Sequence, residues 1–272
     1  MAKHLLIYLI SLKLLWASIS VCAETRFDEV LALPFVEPTD VLAYGEHPDQ
    51  YGLLWRGPEN IARPPPLIIL IHGGCWLDAY DVKHLQPLAS HLFAEGFNVW
   101  APEYRRVMGA GGYPETFDDV AESIRFILKN QNSDDSWALV GHSAGGHLAL
   151  WAASEPNLPR ANITIGLAAI TDLKAYASAE GSCPQSVAPL LGRDIQDQAF
   201  LYASLSPVNR AFDSPLVLMQ GLADPIVPIA QTEAMSAGAH QYLEHVDHFD
   251  LINPQRNAVN TLLTHLKRAL EE

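Results

Sequence analysis

The sequence predicts an α/β fold in which a mainly parallel central sheet is covered by helices on both faces. Short apolar runs alternate with stretches of helical periodicity along most of the chain, which is the pattern of strand–helix units. The runs are continuous, as is typical of parallel strands buried on both faces. No repeat or low-complexity linker divides residues 24–272, so we predict one domain there.

The N-terminal half of the chain predicts antiparallel strands at one edge of the sheet, followed by two strand–helix units. Residues 40–55 predict antiparallel edge strands, and residues 67–71 (LIILI) predict a buried central strand. A second buried strand is predicted over residues 97–101. Apolar residues at helical spacing predict helices over residues 82–95 and 115–129.

The C-terminal half continues the alternation. Further buried strands are predicted over residues 137–140, 163–169, 215–220 and 241–246. One helix is predicted to begin at Ser143 and another to cover residues 229–237. The closing helix carries a single apolar stripe that we assign to core packing, formed by Val259, Leu262, Leu263, Leu266 and Leu270.

A G-x-S-x-G motif, from Gly141 to Gly145, lies between the strand over residues 137–140 and an apolar helix. A serine at such a strand-to-helix turn projects its hydroxyl above the sheet, and small residues must flank it because strand and helix nearly touch. The start of the helix also directs free N–H groups towards an oxyanion above the serine. The motif predicts Ser143 as a nucleophile, with a plain glycine-rich turn as the alternative.

A His-Gly-Gly segment, residues 72–74, directly follows the predicted central strand. Glycines at this position let the chain turn sharply and present backbone N–H groups to a substrate, as in an oxyanion hole. We predict the N–H groups of Gly74, Cys75 and Ala144 as the donors. A simple turn at the end of the strand is the alternative.

Two loops near the C-terminus supply an acid and a base. Asp224 follows the strand over residues 215–220, and His248 follows the strand over residues 241–246. Both side chains are expected at the edge of the sheet where the carboxyl ends of parallel strands meet. We therefore predict a triad of Ser143, Asp224 and His248, in the chain order found in α/β-hydrolases.

Four segments together resemble the α/β-hydrolase superfamily. They are HGG-x-W at residues 72–76, GHSAGGHLA at 141–149, G-x-x-D-P-x-V-P at 221–228 and HFD at 248–250. Within the superfamily, the chain is most similar to the small serine esterase and kynurenine formamidase-like branch. The resemblance spans about residues 40–270 and implies an α/β-hydrolase fold with a small cover insert. Cys75 departs from the glycine or aromatic residue that related sequences often carry, but a backbone donor is compatible with it.

Other histidines and carboxylates suit these roles less well. His142 and His147 flank the serine by one and four positions and are assigned to packing or hydrogen bonding, whereas His84 and His91 are predicted on a surface helix. Asp172 is the rival acid, because some hydrolases take their acid from the preceding strand. No His-Glu-x-x-His spacing occurs, and we predict no metal and no cofactor.

These roles predict hydrolytic acyl transfer on a small ester or amide. His248 would take the proton of Ser143 as the serine attacks a carbonyl, Asp224 would orient the imidazole, and an acyl-enzyme would follow. The leading hypothesis is a secreted serine esterase that cleaves carboxylic esters. An arylformamidase-type amidase with the same three residues and a non-catalytic binding protein of this fold are the alternatives.

Residues 1–23 predict a secretory signal peptide. Lys3 provides a basic start, an apolar stretch follows, and small residues predict cleavage after Ala23. Lys13 interrupts the stretch and leaves it short for a permanent membrane span. Cys22 offers a lipoprotein alternative, which the bulky valine before it disfavours. We expect a secreted or periplasmic protein.

The charge balance limits the partners. Loss of Lys3 and Lys13 with the signal peptide would change the formal net charge from −14 to −16. An acidic surface without a basic stripe repels nucleic acid and anionic membranes. We therefore predict a small-molecule substrate, no nucleic acid partner and no stable membrane span, and leave the oligomeric state open.

Residues 172–213 form a loop-rich insert that we expect to cover the site. Its apolar side chains either wall a substrate pocket or pack the insert onto the body, and Trp76 and His147 are predicted to line the pocket from below. Cys75 and Cys183 remain after processing, in a compartment that permits disulfides. Because pairing depends on distance, two free thiols are the default expectation and a bridge the alternative.

Overall fold

The computed structural model describes residues 24–57, 64–129, 135–192 and 195–271, with only the backbone described for residues 195–197. The predicted signal peptide lies outside the described residues.

Eight strands in the described part of the chain form one sheet, in the order β1-β2-β4-β3-β5-β6-β7-β8. The strands are β1 (Asp40–Ala43), β2 (Tyr51–Trp55), β3 (Leu67–Ile71), β4 (Asn98–Pro102), β5 (Trp137–His142), β6 (Ile163–Leu167), β7 (Leu216–Gly221) and β8 (Ala239–Leu243). The β1–β2 and β2–β4 pairs are antiparallel and all the others are parallel. The predicted mainly parallel sheet with an antiparallel edge is confirmed.

Ten α-helices connect or flank these strands in the described residues. They are α1 (Phe27–Leu31), α2 (Gln86–Ala94), α3 (Glu115–Leu128), α4 (Ala144–Ala153), α5 (Leu173–Ala177), α6 (Ser182–Gln185), α7 (Val187–Leu191), α8 (Ile195–Leu205), α9 (Ala230–Glu233) and α10 (Asn257–Leu270). Short 3₁₀ helices cover Val82–Leu85, Pro207–Asn209 and Asp250–Ile252. None of the described helices combines the length and apolar character needed to cross a bilayer.

Two predicted elements differ from the observed ones by three residues or more at one end. The helix predicted over residues 229–237 is observed only over Ala230–Glu233, and Gly238, with a φ of +89°, lies just before β8. The strand predicted over residues 241–246 runs instead from Ala239 to Leu243. His245, with a φ of +57°, lies beyond its end.

The core lies on both faces of the central strands. All residues of β3, β4 and β5 are buried, as continuous apolar runs predict. The predicted stripe on α10 is also buried against the sheet. One connected cluster of buried apolar side chains extends from Val30 to Leu270. Since each fully buried aliphatic side chain contributes roughly 1.5–3 kcal/mol, this core holds the strand ends in fixed positions.

The insert folds as helices α5 to α8, which contact one another. Tyr176 and Leu190 are buried in it, whereas Phe200 is 85% exposed. Most of its large apolar side chains therefore pack within the protein, and its contribution to the candidate site comes from other residues.

Candidate active site

Ser143 lies at the turn between β5 and α4. Its φ of 57° and ψ of −120° are sparsely populated for a residue with a side chain, and its N–H donates to the carbonyl oxygen of Leu167 at 2.8 Å. The flanking glycines are required by space. A Cβ on Gly141 would lie 2.1 Å from the carbonyl oxygen of Gly145, and one on Gly145 would lie 2.2 Å from that of Ile71. The turn has the geometry of a nucleophile elbow.

His248 and Asp224 meet beside this turn. Asp224 follows β7, His248 follows β8, and these two strands are parallel neighbours. Nδ1 of His248 donates to Oδ2 of Asp224 at 2.8 Å, and the two side chains are only 4% and 1% exposed. The carboxylate therefore fixes the tautomer in which Nε2 is free to accept a proton.

Three further donors hold the Asp224 carboxylate in place. The N–H groups of Ile226 and Val227 donate to Oδ1 at 2.8 and 2.9 Å. The side-chain amide of Gln220 donates to Oδ2 at 3.3 Å. Because both oxygens are engaged, the carboxylate cannot rotate away from His248 without breaking hydrogen bonds in a buried place.

His142 packs under His248. The two rings lie 4.5 Å apart, and Nε2 of His142 donates to the carbonyl oxygen of His248 at 3.0 Å. Burial, and then the neighbouring His248, hold the pKa of His142 well below its usual value. His142 is thus neutral near pH 7 and places no positive charge beside the His248 ring.

The loop after β3 has an unusual backbone. Gly74, Cys75 and Trp76 have φ values of 98°, 55° and 58° in succession. Within the described ranges, the N–H groups of Gly74, Cys75 and Ala144 donate to no backbone acceptor. Free N–H groups beside a serine are what an oxyanion hole requires.

A cavity of about 290 Å³ opens above Ser143. The described side chains and backbone that line it are Phe27, Gly74, Cys75, Tyr80, His84, His142, Ser143, Ser182, Cys183, Ile226, His248 and Phe249. None of these residues is a carboxylate, a lysine or an arginine. Burial lowers the pKa of His84 to about 3, so this side chain is also neutral near pH 7.

Trp76 and His147, predicted to line the pocket from below, do not line it. Both are fully buried, with their rings in edge-to-face contact at 5.3 Å, and Nε2 of His147 donates to the carbonyl oxygen of Leu205 at 3.0 Å. The prediction fails because these side chains support the loop and α4 from within the core. His84, predicted on a surface helix, is buried and faces the cavity instead.

The expectation of free thiols is wrong, because Cys75 and Cys183 form a disulfide with a Cα–Cα distance of 5.1 Å. The bond joins the loop after β3 to α6 of the insert. Asp172, the rival acid, accepts a hydrogen bond from the N–H of Ala175 as the N-cap of α5. Asp172 therefore stabilises α5 of the insert, and it is Asp224 that accepts the hydrogen bond from His248.

A buried polar network that the sequence did not predict holds the loop after β3. Nε2 of His72 donates to Glu103 at 2.8 Å, and Glu103 also pairs with Arg106. The hydroxyl of Tyr104 donates to the carbonyl oxygen of His72 at 2.8 Å, and the two rings stack at 4.2 Å. The signal that could have revealed it is the charged segment 103–106 (EYRR) directly after a buried strand.

In the part of the chain that the structure describes, no group of three or more His, Cys, Asp or Glu side chains is arranged to hold a metal ion.

Comparison with known proteins identifies the family. The BD-FAE family model matches residues 56–238, more than half of the chain, and the chain belongs to the BD-FAE family. The match includes Ser143 and Asp224 and ends before His248. The resemblance to the α/β-hydrolase superfamily is confirmed.

Relatives in Mycobacterium tuberculosis are similar over much of the chain. The probable carboxylic ester hydrolase LipM is 28% identical over 211 residues, which cover 70% of this chain and 49% of LipM. The esterase LipC is 24% identical over 211 residues, covering 70% of this chain and 52% of LipC. The chain spans about half the length of these curated relatives.

Solved structures of esterases share the fold. Esterase B from Lactobacillus Rhamnosis superposes with a TM-score of 0.71 at 20% identity and covers 89% of both chains. A truncated carbohydrate esterase from gut microbiota superposes with a TM-score of 0.70 at 18% identity, covering 88% of this chain and 98% of the other. At these identities the likeness shows the α/β-hydrolase fold alone.

Proposed function

We propose that this protein is a serine hydrolase that cleaves carboxylic esters. The observation that carries the proposal is the cavity shared by Ser143 and His248, in which Nδ1 of His248 is bonded to Asp224 at 2.8 Å. Similarity to proteins named as esterases and carboxylic ester hydrolases supports the same reaction class.

The proposed reaction has two halves. In the first, Oγ of Ser143 attacks the carbonyl carbon while Nε2 of His248 takes the serine proton, and the N–H groups of Gly74, Cys75 and Ala144 stabilise the oxyanion. The intermediate expels the alcohol, which receives the proton from His248, and leaves an acyl-enzyme on Ser143. In the second half, water attacks the acyl group by the same proton transfers, which releases the acid and restores the serine.

Covalent labelling tests this proposal. A fluorophosphonate probe should label Ser143, as identified by peptide mapping, and Ser143→Ala should lower kcat for p-nitrophenyl acetate by about 10⁶-fold. Ser182→Ala is the matched control, since Ser182 lines the same cavity and should stay dispensable for labelling. Absence of labelling in the unmodified protein would refute the assignment and support a non-catalytic binding protein.

The same three residues would serve an arylformamidase, so a substrate comparison separates the two activities. We expect p-nitrophenyl acetate to be hydrolysed with a higher kcat/KM than N-formylkynurenine. The reverse order would replace the esterase proposal with the amidase.

We also propose that the protein is exported and cleaved after Ala23. The disulfide between Cys75 and Cys183 supports this proposal, because such bonds persist in oxidising compartments. N-terminal sequencing of protein recovered from outside the cytoplasm should begin at Glu24. A full-length chain retained in the cytoplasm would contradict export.

A further inference from the structure

The helix α1 contributes a side chain to the cavity above Ser143, although it lies more than a hundred positions away in sequence. The ring of Phe27 lines the cavity. It contacts Tyr80 at 5.2 Å between ring centroids, His84 at 5.5 Å and Phe249 at 5.8 Å. Phe27 thus completes an aromatic wall that the loops after β3 and β8 build only in part.

Thr25 anchors this segment. Its side chain is buried, with the residue only 3% exposed. The hydroxyl donates to Oδ1 of Asp250 at 2.5 Å and accepts from the side chains of Asn253 at 3.2 Å and Arg256 at 3.0 Å. One donor and two acceptor positions use the whole hydrogen-bonding capacity of a hydroxyl, so the position of Thr25 is fixed.

The anchor lies on the loop that carries His248. Oδ2 of Asp250 accepts from the N–H of Asp247 at 3.1 Å. Oδ1 of Asp247 accepts from the N–H groups of Phe249 and Asp250 at 2.9 and 2.8 Å. This closed turn holds His248 between the bonded positions, and Thr25 ties the N-terminal segment to the same turn. Phe27 is therefore held at a set position relative to the imidazole.

We propose that Phe27 determines substrate specificity, because its ring closes the cavity and limits the length of an uncharged acyl chain bound there. The proposal rests on the esterase function proposed above. The acyl group is the part of the substrate that is bonded to Ser143 in the acyl-enzyme, so a cavity lined by this serine is placed to hold it. Residues 25–31 precede the segment that the family model matches, 56–238, so family membership does not imply this wall.

Variants of the full chain test the role of Phe27. Phe27→Ala opens the cavity, and the ratio of kcat/KM for p-nitrophenyl octanoate to that for the butyrate should rise about tenfold. Phe27→Trp should lower the same ratio, because a larger ring shortens the cavity. Phe35→Ala is the matched control, since Phe35 lies in the same N-terminal region, is 37% exposed and does not line the cavity. It should leave the ratio unchanged.

Thr25→Val tests the anchor. Valine keeps the shape of threonine and removes the hydroxyl, so the segment loses its bonds to Asp250, Asn253 and Arg256 without any change in the cavity wall itself. The octanoate-to-butyrate ratio should shift in the same direction as in Phe27→Ala. An unchanged ratio would show that the anchor does not position Phe27.

Fluorophosphonate labelling of Ser143 separates the possible failures. If Phe27→Ala is labelled as fast as the unmodified protein and keeps its chain-length preference, the specificity proposal is overturned and the esterase function stands. If the unmodified protein is not labelled, the esterase function itself fails. A Phe27→Ala chain that does not fold would not be labelled, and the Phe27→Trp and Thr25→Val variants then decide.

Discussion

Ser143 has a strained backbone conformation, and the residues around it are tightly packed. Its φ is 57° and it lines the cavity, while a Cβ on Gly73 would lie 3.0 Å from the Cβ of Ser143. The strain is retained because β5 and α4 are both buried and over-determine the turn. Packing around the serine thus keeps the hydroxyl in place before any substrate binds.

Asp224→Asn should lower kcat by about 10⁴-fold with the fold intact, because an amide stabilises the wrong tautomer of His248. The asparagine oxygen can still accept from the N–H groups of Ile226 and Val227. Asp172→Asn is the matched control, since asparagine also caps a helix, and it should keep full activity in a p-nitrophenyl ester assay. Full activity in Asp224→Asn together with a loss in Asp172→Asn would instead assign the role of the acid to Asp172.

The buried His147 should make the stability of the protein depend on pH. Burial lowers its pKa to about 4, so the unfolded chain binds a proton below pH 6.5 that the folded chain does not bind. The free energy of unfolding should therefore fall as the pH drops from 6.5 towards 4. In urea titrations, His147→Gln should reduce the loss between pH 6 and pH 5 by about 1 kcal/mol. Equal losses in both proteins would mean that His147 is protonated in the folded state.

At the scale of elements, parallel strands determine which loops meet. The loops after β3, β5, β7 and β8 all leave the same edge of the sheet, because neighbouring parallel strands end together. They bring Gly74, Cys75, Ser143 and His248 to one cavity, and Asp224 accepts a hydrogen bond from His248 beside it. The β4 loop supplies the Glu103 network that supports the first of these loops.

The crossing of α4 over the sheet depends on glycine. A Cβ on Gly145 would lie 2.2 Å from the carbonyl oxygen of Ile71 and 2.3 Å from that of His72. Since neither backbone can move freely, Gly145→Ala should lower the free energy of unfolding by about 3 kcal/mol in urea denaturation. Gly57→Ala, where the nearest atom among the described residues lies 3.9 Å away, should change it little. Similar values for the two variants would contradict this account of the turn.

The disulfide should stabilise the attachment of the insert. Cys75 and Cys183 are 108 positions apart, and closing so long a loop restricts the unfolded chain. Loss of the bond should lower the free energy of unfolding by about 2–4 kcal/mol. Urea denaturation with and without a reductant measures this difference. A Cys75→Ser/Cys183→Ser double variant should have the lower free energy of unfolding with or without reductant. If reductant lowers the stability of this variant too, the effect does not come from the disulfide.

At the scale of the whole molecule, an acidic chain surrounds an uncharged cavity. The formal net charge is −14, yet no carboxylate lines the described cavity wall. Desolvation of a charged group in such a cavity is unfavourable. The anionic p-nitrophenyl monoester of glutaric acid should therefore have a kcat/KM about 10²-fold below that of p-nitrophenyl valerate.

The salt dependence shows whether this difference in kcat/KM comes from desolvation in the cavity or from repulsion by the acidic surface. At about 0.5 M sodium chloride, interactions between charges on the surface are largely screened. If desolvation in the cavity is the cause, the ratio of the two kcat/KM values should persist at this salt concentration. A ratio that approaches one at high salt would instead assign the effect to the acidic surface.

Much of the architecture was predictable because it depends on local patterns. The run LIILI at residues 67–71 forms β3, and the spacing of apolar residues over 115–129 forms α3. Asp224 and His248 could be selected because each follows a strand whose carboxyl end reaches the same edge. Phe27 and His84 could not, since nothing near them in sequence indicates that they would share a wall.

The sequence by itself determined the order of strands and helices along the chain, the glycine-flanked serine turn, and the placement of Asp224 and His248 after successive strands. Periodicity and steric requirements act between near neighbours, so they can be read along the chain. Only the tertiary structure decided that Cys75 bonds to Cys183, that Trp76 and His147 are buried, and that the N-terminal segment is tied to the His248 turn. Those outcomes depend on how distant segments pack around one sheet, which no local pattern specifies.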